Sequence, residues 1–294
     1  MDKVFDLHSD VLFDLYEHYD DKERFDKAHR PDLIAGGVKG AIWNMYSETE
    51  FDLFEAINKA LERIPRDFLN DFTVILGLEG LRNIKKAKDI YKLYNLGFRH
   101  AMLTWNEENV FGTGAKSNPS HGLTKEGEKL LKLMEKLGMI IDVSHTNEKM
   151  FWDILRVANK NIIASHSDSR SICPHVRNLT DQQLMALRAK DGIVGLTLAS
   201  SFLHEDIDKQ TLDTFFKHLD HVVKIMDIDH VSFGFDFMNY LTGYNTCNPG
   251  ELKSAKDLGK LFEGLRKNGY TEEEINKMTW KNFYDRFHHL AWRG

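Results

Sequence analysis

The chain has 294 residues, 42% of them hydrophobic and 29% charged, with a formal charge of −6. That composition describes a soluble globular protein with ample core, and its interspersed charges offer neither a basic face for nucleic acid nor a polybasic patch for a membrane. Cys173 and Cys247 are too few for a disulfide framework or a cysteine metal cage and suit a reducing compartment. No apolar run is long enough to span a bilayer. The start, Met1-Asp2-Lys3-Val4-Phe5-Asp6, carries charges where a signal peptide needs an apolar stretch, so a cytoplasmic protein is expected.

Apolar, β-rich runs fall at residues 4–7, 38–45, 72–78, 98–104, 138–144, 161–165, 192–199 and 230–235. Amphipathic stretches of helical spacing lie between them, among them 51–64, 125–136, 147–158 and 210–226. No linker or low-complexity block divides the chain, which reads as a single domain over residues 1–294. Alternating strands and helices without a glycine-rich phosphate fingerprint predict an α/β fold, a (β/α)8 TIM barrel. From Thr271 to His289 a capping-box pattern precedes Ile275, Met278, Phe283 and Phe287, with Trp280 nearby. This predicts an extra C-terminal helix with a buried stripe, packed on the barrel's outside.

In such a barrel the chemistry sits at the C-terminal ends of the strands, and five runs end in acids or histidines. The first ends His8-Ser9-Asp10, where period-two geometry puts His8 and Asp10 on one face, fit to grip a divalent cation; the alternative is Asp10 as a helix cap. The third ends in Glu79 after an almost wholly apolar run, a costly place for an acid without a cation or donors. The fifth and sixth end in Ser144-His145 and Ser165-His166, one βα unit apart, a spacing that suits a second metal or two structural histidines. In the eighth, Ser232, Gly234 and Asp236 alternate with bulky residues, which turns Asp236 into the lumen. Asp142 has the opposite parity to His145 and receives no role, and His230 lies at the wrong end of its strand.

These residues resemble the zinc dipeptidases of the renal or membrane dipeptidase family, peptidase family M19. The likeness runs through His-Ser-Asp at 8–10, Leu-Glu-Gly at 78–80, Leu-Thr-Trp-Asn at 103–106 and Gly-Leu-Thr at 122–124. It continues through Ile-Asp-Val-Ser-His at 141–145, Ser-His-Ser at 165–167, Arg-Asn-Leu-Thr-Asp at 177–181 and Gly-Phe-Asp-Phe at 234–237.

The resemblance implies a barrel of the metallo-dependent hydrolase type with two zinc ions, the first held by His8 and Asp10, the second by His145 and His166, with Glu79 bridging. Mixed imidazole and carboxylate ligands accommodate manganese as well. It further implies that Arg177 clamps the substrate's terminal carboxylate and that Glu79 and Asp236 are the catalytic carboxylates, Asp236 shuttling the proton from attacking water to leaving amine. Where animal members have a histidine that contacts substrate, this chain has Trp105, whose indole offers one N–H and no basic nitrogen. Animal members carry a secretion signal and a lipid-anchoring tail, and their location is not the one expected here. The expected partner is a small dipeptide, and a homodimer is compatible with the chain. Two rival readings remain: another amidohydrolase-type barrel (lactonase, deaminase or phosphoesterase), disfavoured by His8-x-Asp10 where those begin His-x-His, and a catalytically silent metal-containing binding protein.

Overall fold

Eight parallel strands, β1 (Val4–Ser9), β2 (Val38–Tyr46), β3 (Thr73–Glu79), β4 (Phe98–Met102), β5 (Ile140–Asp142), β6 (Ile162–Ala164), β7 (Ile193–Leu196) and β8 (Val231–Phe233), pair in chain order and close through β1 and β8. This computed structural model describes residues 2–46, 49–241 and 247–294. All eight expected strands form, and the fold is the (β/α)8 barrel.

Local chemistry explains where the intervening helices begin. Helices Leu53–Glu62, Lys125–Lys136, Glu148–Val157 and Leu212–Met226 follow Asp52, Thr124, Asn147 and Thr211, whose side chains accept hydrogen bonds from otherwise unpaired backbone N–H groups. Their apolar faces, including Ile57, Leu131, Ile154 and Leu219, join outward strand residues such as Val74, Val194 and Phe233 in the larger core.

The barrel's interior is a second core with a distinct floor. Phe5, Leu7, Ile42, Ile75, Ile140, Ile163 and Ile193 project inward and pack with Trp280, Phe283 and Phe287. The C-terminal segment therefore closes the lumen from below, which corrects the expectation that it packs on the outside. It is also not one continuous helix: Glu272–Asn276 and Asn282–Phe287 flank a π-helical turn over Lys277–Lys281. The turn offsets the two faces, so that Ile275 and Met278 pack in the outer core while the next aromatics enter the lumen. The Thr271–Glu274 capping box forms as expected.

Above that floor the lumen becomes polar. Gly77 of β3 has no room for a side chain, because a Cβ there would lie 2.2 Å from Asn44 Oδ1 and 2.5 Å from His100 Nδ1. Strand β1 departs from simple alternation: its pairing with β2 slips between Asp6 and Ser9, an irregularity that re-aims the residues at its upper end.

Candidate metal centre

Glu79 stands at the middle of the upper rim, and its two carboxylate oxygens face different histidines. Oε2 is 3.4 Å from His8 Nε2, whereas Oε1 is 2.7 Å from His145 Nε2 and 3.7 Å from His166 Nε2. His8 Nε2 also lies 3.8 Å from Asp10 Oδ2 and 3.7 Å from Asp236 Oδ1. All six side chains are buried, so residues from β1, β3 and the loops after β5, β6 and β8 converge within one small volume. Asp10 occupies the N-cap position of helix Val11–Glu17 without using its side chain as a cap. That removes the structural alternative for it.

The chain holds two of these groups at a conformational cost. His145 and Asp236 have φ of 68° and 56°, a left-handed backbone that costs a non-glycine residue about 1–3 kcal/mol. Such strain persists where surrounding contacts fix it, and here it points both side chains into the rim.

Three neutral neighbours set the rings. His145 Nδ1 is 3.0 Å from Asn106 Oδ1 and His166 Nδ1 is 2.8 Å from Ser165 Oγ, so a proton on each Nδ1 leaves Nε2 as the lone-pair atom facing Glu79. The Asn44 amide nitrogen lies 3.0 Å from His8 Nδ1 and holds that ring in place. Tyr240 braces the β1 end: its hydroxyl accepts from the Asp10 backbone N–H at 3.0 Å, while its carbonyl accepts from Arg24 at 2.8 Å. Arg24 is in turn locked on buried Asp14, which also meets His29 Nε2 at 2.7 Å.

The electrostatics describe a site with surplus buried negative charge. Burial, reinforced by Asp10, pushes the Glu79 carboxyl up to about 8, and burial pushes Asp236 up to about 6 and Asp6 to about 7. Burial works against a proton on His8, but Glu79 and Asp10 outweigh it and hold the ring well above the usual histidine range. His145 and His166 lie well below that range, through burial and then chiefly Arg177 for the first and His8 for the second. They are neutral imidazoles, the form that coordinates metal.

A divalent cation fits this donor set. His8 Nε2 and Asp10 Oδ1 are buried with no hydrogen-bond partner, a costly state that coordination removes. The donor separations of 2.7–3.8 Å are spans that ions with ligand bonds of about 2.0–2.2 Å bridge. Among the described residues two overlapping groups have this geometry, His8 with Glu79 and His166, and His8 with Asp10 and Asp236.

Beside the rim opens a cavity of about 660 Å³ lined by Asp10, Glu79, His145, Arg177 and Asp236 as well as Trp105. Arg177, buried and lowered to about 10 by that burial, stacks on Phe202 with its guanidinium 5.2 Å from the ring centre. Its Nη2 donates to His166 Nε2 at 2.8 Å, so guanidinium and cation are alternative partners for that lone pair. Trp105 is half-buried, edge-on to Tyr46 at 5.3 Å and 5.7 Å from the His145 ring, and forms an aromatic wall.

Residues 66–288 match the model of the membrane dipeptidase family, peptidase family M19. The chain belongs to that family. Membership places it among the metallo-dipeptidases. An uncharacterised Klebsiella pneumoniae protein encoded in the pqqA 5′ region is 37% identical over 207 residues, 67% of this chain and 74% of that one. Among solved structures, a dipeptidase AC, a metallopeptidase of family M19, superposes with a TM-score of 0.84 at 26% identity, covering 99% of both chains. A Rhodobacter sphaeroides metallopeptidase holding a phosphinate mimic of the dipeptide L-Ala-D-Ala does so with a TM-score of 0.84 at 25% identity, again over 99% of each. No described helix is long and apolar enough to cross a membrane.

Sequence reasoning missed the supporting residues. Asp142, given no role, accepts from His100 Nε2 at 2.7 Å and from the backbone N–H groups of Ser144 and Ser165, tying β5 to β6 beneath the rim. Asn44 shares the inward parity of Ile42, and Asn106 belongs to the Leu-Thr-Trp-Asn motif, so both were within reach. Asp6 carried no signal apart from the β1 irregularity.

Proposed function

We propose that this member of the family is a two-metal dipeptidase, with His8 and Asp10 holding one cation, His145 and His166 the other, and Glu79 bridging them. The division of Glu79's two oxygens between His8 and the His145–His166 pair carries this reading. Zinc suits the donor set, and manganese is accommodated by the same atoms. When bound, the cations supply Lewis acidity that polarises the scissile carbonyl and acidifies the attacking water.

The remaining steps fall to the chain's own side chains. Arg177 binds the substrate's C-terminal carboxylate through its planar fork, fixing the peptide bond relative to the rim and selecting for short substrates. Asp236 Oδ1, 3.7 Å from His8 Nε2 at the edge of the cavity, takes the proton from the attacking water and returns it to the leaving amine. With burial raising it to about 6, this carboxyl is matched to proton transfer near neutrality. Trp105 and Tyr46 form an aromatic wall that excludes water from one side of the cavity, and the indole, with one N–H and no basic nitrogen, takes no part in proton transfer. The free thiols Cys173 and Cys247 suit a cytoplasmic setting. Asp236→Asn tests the assignment: it is expected to retain divalent metal while kcat for a dipeptide falls at least about a hundredfold. Near-normal turnover with metal retained would overturn it.

A further inference from the structure

The charges that line the cavity are not evenly distributed around the barrel. In a closed eight-stranded barrel paired in chain order, β5 stands opposite β1. Asp10 and Glu17 line the cavity from the β1 side and Asp236 from the loop after β8, whereas Lys116 and Arg177 line it from the segments following β4 and β6. The cavity thus has an acidic wall and a facing basic wall.

Lys116 is fixed where it stands by its backbone. Its N–H donates to Asn106 O at 3.2 Å, the preceding Ala115 N–H donates to His145 O at 2.8 Å, and Gly114 bridges to Thr146. Gly114 has no alternative there, since a Cβ would lie 2.2 Å from Trp105 O. The side chain is exposed toward the cavity, and among the described residues no carboxylate pairs with its ammonium. Lys116 and Arg177 line the same cavity from the segments after β4 and β6, which puts both cations on the side away from Asp10 and Glu17.

Assigning the cavity's charges leaves one cation over. The acids Asp10, Glu79 and Asp236 serve the metal centre and the proton transfer, Glu17 stands on the wall facing the cations, and Arg177 takes the substrate's terminal carboxylate. Lys116 then remains on the same wall as Arg177, and among the described residues no carboxylate is paired with it. Resting on the dipeptidase reading, we propose that Lys116 selects dipeptides whose C-terminal residue carries a second carboxylate, aspartate or glutamate. The ammonium is a mobile point charge on a flexible stem, suited to side chains of either length.

The test compares kcat/KM of the metal-loaded protein for three dipeptides, alanyl-aspartate, alanyl-alanine and alanyl-lysine, each with L and D configuration at the second residue. In an open cavity an ion pair of this kind is worth about a twofold to fivefold preference. The wild type is expected to favour aspartate over alanine by that factor, Lys116→Met to abolish the preference, and Lys116→Glu to reverse the order of aspartate and lysine. The reversal is a readout that a merely structural role would not produce. Cleavage of alanyl-alanine without any acidic preference, or a preference that survives both substitutions, overturns this inference and leaves the dipeptidase reading standing. Failure of the metal-loaded wild type to cleave any of the peptides overturns that reading, and this inference with it.

Discussion

Replacing Asp142 tests whether the rim is held together by a buried carboxylate beneath it. The side chain is fully buried and accepts three hydrogen bonds, from His100 Nε2 at 2.7 Å, Ser144 N at 2.9 Å and Ser165 N at 3.1 Å. Asp142→Ala strands all three donors in a dry interior, at about 1–3 kcal/mol each with incomplete additivity, so a loss of about 3–6 kcal/mol is expected. Asp142→Asn keeps an oxygen for both backbone donors, and its amide nitrogen faces a ring that can change tautomer, because His100 Nδ1 has no partner. That loss is about 1–2 kcal/mol. Burial raises the Asp142 carboxyl, but His100, Ser165 and Ser144 outweigh it and hold it below the usual aspartate range. A group depressed in the folded state contributes stability above its unfolded pKa and loses it as pH falls through the folded value. The gap between wild type and Asp142→Asn in urea unfolding should therefore be constant from about pH 5 to 8 and narrow below about pH 4. Equal losses for the two variants, or a gap that widens on acidification, would refute the reasoning.

Other perturbations separate scaffold from site. Phe283→Ala, which removes a fully buried ring 4.7 Å from Phe5 and 4.9 Å from Phe287, should cost about 3–5 kcal/mol in urea unfolding yet leave metal stoichiometry unchanged. Tyr240→Phe removes the hydroxyl that accepts from the Asp10 backbone and should weaken metal retention about tenfold in chelator competition; unchanged retention would rule out the brace.

The strands were legible because a barrel strand buries both faces, and runs such as Thr73 to Leu78 leave little else for the chain to do. The rim was legible for the same reason: Glu79, His145 and His166 are polar interruptions at the ends of those runs. What sets the His8 and His145 rings was harder to see, since Asn44 and Asn106 are neutral groups that meet them only when segments distant in sequence become adjacent, whereas Ser165 stands next to His166 in the chain. The placement of Phe283 and Phe287 shows another limit. An apolar stripe says that a face is buried, and the π-helical turn at Lys277–Lys281 decides which core it enters. Asp142 was passed over on parity with His145, but His145 lies past the end of β5 in a left-handed conformation, where strand alternation no longer applies.

Metal stoichiometry is the most direct test of the centre. After reconstitution with excess zinc or manganese and removal of free ions, the wild type should carry two ions per chain by elemental analysis, and Glu79→Ala should lose both together. A wild type that retains none, or a Glu79→Ala variant that still carries two, would contradict the bridged pair.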